Sequence, residues 1–165
     1  MINLKTTREL RYMRDAGKIS QEALLKAGEA VRPGVSTLEL DKIVRRTIEK
    51  AGAVPSFLGY GGFPASACIS VNNVVIHGIP SAHEILKEGD IVSIDVGAIY
   101  EGFNGDNAWT FPCGKVSEEA QKLMDATRES LFLAIEKAVP GNRIGDIGSA
   151  VQQYAVSYTH LTLPT

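Results

Sequence analysis

"SIDVGAIYEGFNGDNAWTF", Ser93 to Phe111, decides the fold and poses the chemical question. It alternates like two apolar strands around a tight turn, yet each strand holds one acid, Asp95 and Asp106. A two-residue loop can be centred on Tyr100–Glu101 or on Glu101–Gly102. In the first register Asp95 faces Asp106 directly. In the second it faces Ala108, with Asp106 as its diagonal neighbour. Side chains alternate faces along a strand, so both registers put the two acids on one face, within cross-strand reach. An odd loop would part them unless a bulge restored the phase, and Gly105 is the candidate bulge site.

Adjacent like charges repel, and burying them unpaired costs more. A shared proton with one raised pKa would offset this. So would a Lys or Arg partner, but the hairpin carries no basic residue. The third option is a divalent metal, or a pair of them, held by oxygen ligands. The bland alternative makes Asp106 a turn cap with Gly105 and Asn107 and turns Asp95 to solvent. Asp95 sits between Ile94 and Val96 in a strand with no other charge, which weighs against it, yet spacing alone leaves both readings open.

Outward from the hairpin, local signals mark the other elements. Thr6 or Thr7 caps a first helix with Leu10, Met13, Ala16, Ile19, Ala23 and Ala27 at helical spacing. Ser36, with Glu39 three residues on, is a capping-box signature for a second helix whose stripe is Leu38, Ile43, Val44 and Ile48. "SFLGYGGFPAS" is a Gly- and aromatic-rich loop, and "ACISVNNVVIHGIP" reads as a strand, an Asn-Asn turn and a second short strand. A Gly-Asp turn leads into the hairpin. Ser117 starts a third helix stopped by Pro140 and Gly141, and "RIGDIGSAVQQYA" opens a fourth. Helices and hairpin strands alternate without a βαβ period, so the class is α+β, an antiparallel sheet flanked by helices.

The 165 residues, 44% hydrophobic and 22% charged, fit one globular domain. A net charge of −2 gives no basic footprint, so no nucleic acid is expected. Cys68 and Cys113 lie far apart and form no C-x-x-C pair, which argues against a disulfide framework or a thiol metal site and for a reducing, cytoplasmic setting. No apolar signal core or membrane-length run is present, so no membrane partner is expected. The last ten residues, "VSYTHLTLPT", are Thr-rich without helical period. They read like a translated sequencing-library adapter, so residues 1–155 are expected to be native and 156–165 a non-native tail.

"SVNNVVIHGIP" followed by "GDIVSIDVGAIYEGFNGD" closely resembles the type I methionine aminopeptidases, and the likeness runs from near the start to about Ala155. It implies the N-terminal portion of a pita-bread (creatinase/aminopeptidase-like) fold. It implies a cytoplasmic, monomeric enzyme with two divalent metal ions (manganese, iron, cobalt or zinc). Its substrates would be nascent polypeptide N-termini at the ribosome, from which it removes the initiator methionine. By motif match Asp95 would serve mainly one metal and Asp106 would bridge both, in two-metal hydrolysis. His77 would hydrogen-bond the scissile amide and stabilise the transition state, although outside the motif it reads as a turn histidine. Phe57, Tyr60 and Phe63 would line the pocket for the methionine side chain, as aromatic walls suit a thioether; alternatively they pack the loop onto the core.

His83 has no motif match and reads as surface, His160 falls in the tail, and both cysteines read as small buried residues. Asn104 and Gly61 stand where many members carry histidine. The family's remaining ligands, a His and two Glu, are expected after the point where this chain ends, so the 165-residue chain is expected not to hydrolyse Met-peptides. Two alternatives stay beside this reading. Proline-specific peptidases of the same fold (aminopeptidase P, prolidase) share the Asp hairpin but usually carry a longer N-terminal domain and lack the VNN-x-x-x-HGIP run. Non-catalytic binding modules of this fold are expected to lose the acids.

Overall fold

Glu101 and Gly102 both take left-handed φ, 50° and 80°. This is the type I′ pattern, whose twist matches that of paired strands. In the computed structural model, which describes residues 3–158, these two residues join β3 (Ile91–Tyr100) to β4 (Phe103–Pro112). The ladder runs unbroken from Ile91↔Pro112 to Tyr100↔Phe103. Of the two registers, the Glu101–Gly102 one forms, and Gly105 makes no bulge.

β3 is the centre of a four-stranded antiparallel sheet. One edge carries β4. The other carries β2 (Ala67–Val71) along its first half and the short β1 (Val54–Pro55) near its end. β1 was not legible, because a Val-Pro pair has no strand signal of its own and forms only by pairing with Ile99 and Ala98.

α1 (Thr7–Glu29) starts at Thr6 and α2 (Thr37–Lys50) at Ser36, each with a complete capping box. Glu9 Oε2 accepts from Thr6 N–H at 2.7 Å, and Glu39 Oε2 accepts from Ser36 N–H at 2.8 Å. α1 lies on β3 and β4. Its inward face is made of small residues, Ala16, Ser20, Ala23 and Ala27, all fully buried. That lets the sheet come close: a Cβ on Gly28 would stand 2.2 Å from the Phe111 ring. Leu40, Val44 and Ile48 of α2 close the same core over Ile69, Val92, Ile94 and Val96. Both helices thus cover one sheet face, and Asp95 points to the other.

The expected second strand after the Asn-Asn turn does not form. Val74 N–H closes the turn on Val71 O, but residues 74–80 run as a loop. His77 takes φ 59°, which breaks an extended run, and Pro80 has no N–H to give a ladder. Gly78 is pinned instead against β2: Ile69 N–H donates to Gly78 O at 2.9 Å, and Gly78 N–H donates to Ser70 Oγ at 3.1 Å.

The chain divides into two compact units, one through Val116 and one from Ser117 on. The second holds α3 (Glu118–Glu136), capped by Ser117, and α4 (Ile144–Val156), packed on each other. α3 ends at Glu136 with Lys137 as its cap, before Pro140 and Gly141 are reached. α4 continues one residue past Ala155, and Ser157 caps it. His160 and most of the proposed tail lie outside the described residues. No described helix is long and apolar enough to cross a membrane.

Candidate metal centre

The alternation of β3 builds the site. Val92, Ile94, Val96 and Ala98 point into the core, so Asp95 stands on the opposite face, half-buried. Cys68 is its cross-strand neighbour on β2 and Ala108 on β4. Asp106, opposite Gly97, is the diagonal neighbour on the same face and is exposed.

The two carboxyls interact. Asp95 is pushed up from 3.8 to about 6, first by burial, then by the charge of Asp106 and by a hydrogen bond with it. His77 and the Val96 N–H act in the opposite direction. A raised carboxyl beside a second acid is what the shared-proton option, one of the three open to the pair, would give. The turn-cap alternative for Asp106 does not hold, since β4 runs through it.

His77 reaches this face from the 74–80 loop. Its side chain is exposed, its charge acts on Asp95, and the anchoring of Gly78 fixes its position. Phe57 arrives from the loop between β1 and β2. A Cβ on Gly97 would stand 2.7 Å from the Phe57 ring and 2.0 Å from Ser56 Oγ. The ring therefore lies on the β3 backbone where Asp106 pairs. Phe63 is half-buried. Tyr60, in a short 3-10 turn (Tyr60–Gly62), is 83% exposed and points to solvent. The structure thus brings Asp95 and Asp106 together, with His77 in electrostatic range of Asp95 and Phe57 against the backbone at Gly97. His83 is exposed, and Cys113 is fully buried, both as expected.

Two residues missed in the sequence belong to this region. Cys68 was read only as buried, yet it stands beside Asp95; burial, then Asp95 and Asp106, push its thiol up to about 11. Asp41 of α2 is buried and accepts from Ser66 N–H at 2.7 Å and Ala67 N–H at 2.9 Å. It ties the end of the aromatic loop to the start of β2. Only an acid inside an otherwise apolar helical stripe could have hinted at it.

The donor set fits a divalent cation in part. Two close carboxylates are hard oxygen donors that a divalent ion would relieve of their repulsion. Among the described residues no three His, Cys, Asp or Glu side chains converge, so the two carboxylates stand as a pair.

The sequence profile of metallopeptidase family M24 matches residues 11–163. The chain belongs to that family. This M24 chain is 53% identical over 158 residues to a methionine aminopeptidase of Clostridium acetobutylicum, covering 96% of itself and 63% of that protein. It thus spans less than two thirds of that relative. The crystal structure of methionine aminopeptidase from Thermotoga maritima matches 96% of the chain at TM-score 0.93 and 39% identity, again over 64% of the solved protein. A prolidase from Pyrococcus furiosus matches 94% of the chain at TM-score 0.84 and 25% identity, over 44% of its own length. The resemblance to methionine aminopeptidases and the pita-bread, α+β expectation are borne out.

Proposed function

We propose that this M24 chain carries the carboxylate part of a methionine aminopeptidase, and that the protein of its relatives' length removes the initiator methionine from nascent polypeptides, as a monomer in the cytoplasm. The observation that carries the reading is the placement of Asp95 and Asp106 as diagonal neighbours on one sheet face, close enough to hydrogen-bond each other. Asp95 and Asp106 would hold two divalent ions, which supply Lewis-acid polarisation of the peptide carbonyl and an activated water. The chain's own residues do the rest. Asp95 would hold the ion from the central strand, which is bonded along both edges. His77 presents its imbidazole donor to the scissile amide from a backbone fixed by Gly78 and Ser70. Phe57 gives an apolar wall beside the carboxylates.

Support for methionine over proline specificity is the higher identity to the solved methionine enzyme, 39% for the Thermotoga maritima protein against 25% for the prolidase. The test is release of methionine from Met-Ala-Ser with added manganese or cobalt, beside an X-Pro peptide. The 165-residue chain alone is expected to give no turnover. The chain extended by the remaining third of the Clostridium acetobutylicum relative is expected to cleave Met-Ala-Ser only. X-Pro cleavage instead would sink the methionine reading, and turnover by the chain alone would sink the proposed need for further ligands.

A further inference from the structure

Asp95 and Asp106 repel each other, and only one of them sits on a strand bonded along both edges. β3 is held by β2 and β1 on one side and β4 on the other, whereas among the described residues β4 pairs with β3 alone. Something else must keep Asp106 in place.

The neighbours of Asp106 point the other way, into α1. A Cβ on Gly105 would stand 2.2 Å from the carbonyl carbon and oxygen of Ala16 and 2.4 Å from Gly17 N. Backbone thus meets backbone, and no larger residue fits there. On the other side, Asn107 Nδ2 donates to Gly17 O at 3.0 Å and to Ser20 Oγ at 2.6 Å. Ser20, fully buried, closes the triangle by donating to Gly17 O at 3.1 Å. The residues before and after Asp106 are therefore both fastened to one turn of α1, and Asp106 is the residue between two fixed points.

We infer that Asn107, with Gly105, is a positioning residue for the carboxylate pair: the α1 clamp holds Asp106 beside Asp95 against their repulsion, so that the two acids are set for a divalent ion before it arrives. This rests on the metal reading above. Residues that orient metal ligands change affinity by about 10–100-fold when removed.

The test uses the 165-residue chain and manganese(II) alone, with calorimetric titration, thermal unfolding and amide hydrogen exchange. Asn107→Ala and the near-isosteric Asn107→Asp, which removes the donor, are each expected to weaken manganese binding about tenfold or more. In the metal-free protein they should speed amide exchange at residues 104–108 but not near the Ile91–Pro112 end of the ladder. Ile19→Ala loosens the same helix without touching the triangle; it should lower the melting temperature and leave manganese affinity unchanged. Wild-type affinity in both Asn107 variants overturns the clamp, as does an equal loss in Ile19→Ala. If the wild-type chain binds no manganese while the variants still release residues 104–108 to exchange, the two carboxylates alone do not suffice for the ion and the clamp stands. If exchange is also unchanged, the clamp falls.

Discussion

Asp95 is the residue on which the chemistry turns, and its raised pKa has consequences in two directions. A metal must displace the proton that the pair retains. Manganese affinity is therefore expected to climb as pH rises from about 5 to 7 and then to level off, with proton release on binding, measurable by titration in buffers of different ionisation enthalpy. Stability runs the other way. The folded pair binds its proton more tightly than the unfolded chain, so this contribution is fully present below the ordinary value of 3.8 and is lost as pH rises through about 6. In chelator, Asp106→Asn should remove that loss: its melting temperature at pH 7 should exceed wild type by a few degrees while manganese binding disappears. An unchanged melting temperature would show that the pair is not repulsive. Both acids were legible because strand parity is a local rule. Cys68 and Asp41 were not, because what makes them matter is a partner on another strand or loop, Asp95 across from one and the Ser66 and Ala67 N–H groups before the other.

Elements divide along the same line. The capping boxes at Thr6 and Ser36 were readable because both partners sit within three residues. The 74–80 loop was misread as a strand because its apolar run, Val74 to Ile76, looks extended until His77 turns left-handed and Gly78 docks on β2. Energies follow from these contacts. Ser36→Ala should cost about 1 kcal/mol in urea unfolding. Asp41→Ala leaves two buried N–H groups without an acceptor and should cost about 2–4 kcal/mol. Asp41→Asn keeps one acceptor oxygen and should cost less than half as much. Equal losses for the two Asp41 variants would show that the side chain acts by packing rather than by its two hydrogen bonds.

For the whole molecule, the first unit is asymmetric. One sheet face is sealed by α1 and α2, and the other presents the acids, His77 and the aromatic loop. Among the described residues the outer edge of β4 has no partner strand and carries no Lys or Arg to deter one. The chain is expected to be monomeric when dilute and to associate as concentration rises, which light scattering across a dilution series would show. A strictly monomeric chain at high concentration would mean that this edge is shielded. The sequence made the α+β class legible through the alternation of helices and hairpin strands. It could not show which sheet face the helices would choose, because that depends on the small residues of α1 fitting the backbone at Gly105.

The two-residue Glu101–Gly102 turn has a kinetic meaning as well. Hairpin closure takes about 1–10 μs, and contacts near in sequence form before distant ones. Asp95 and Asp106 therefore meet early in folding, while β2 and β1 still have to find their edge. The repulsion is felt by a nascent hairpin that has little core yet to restrain it. Refolding should accordingly run faster at pH 5 than at pH 7.5 in chelator, and added manganese should erase much of that difference.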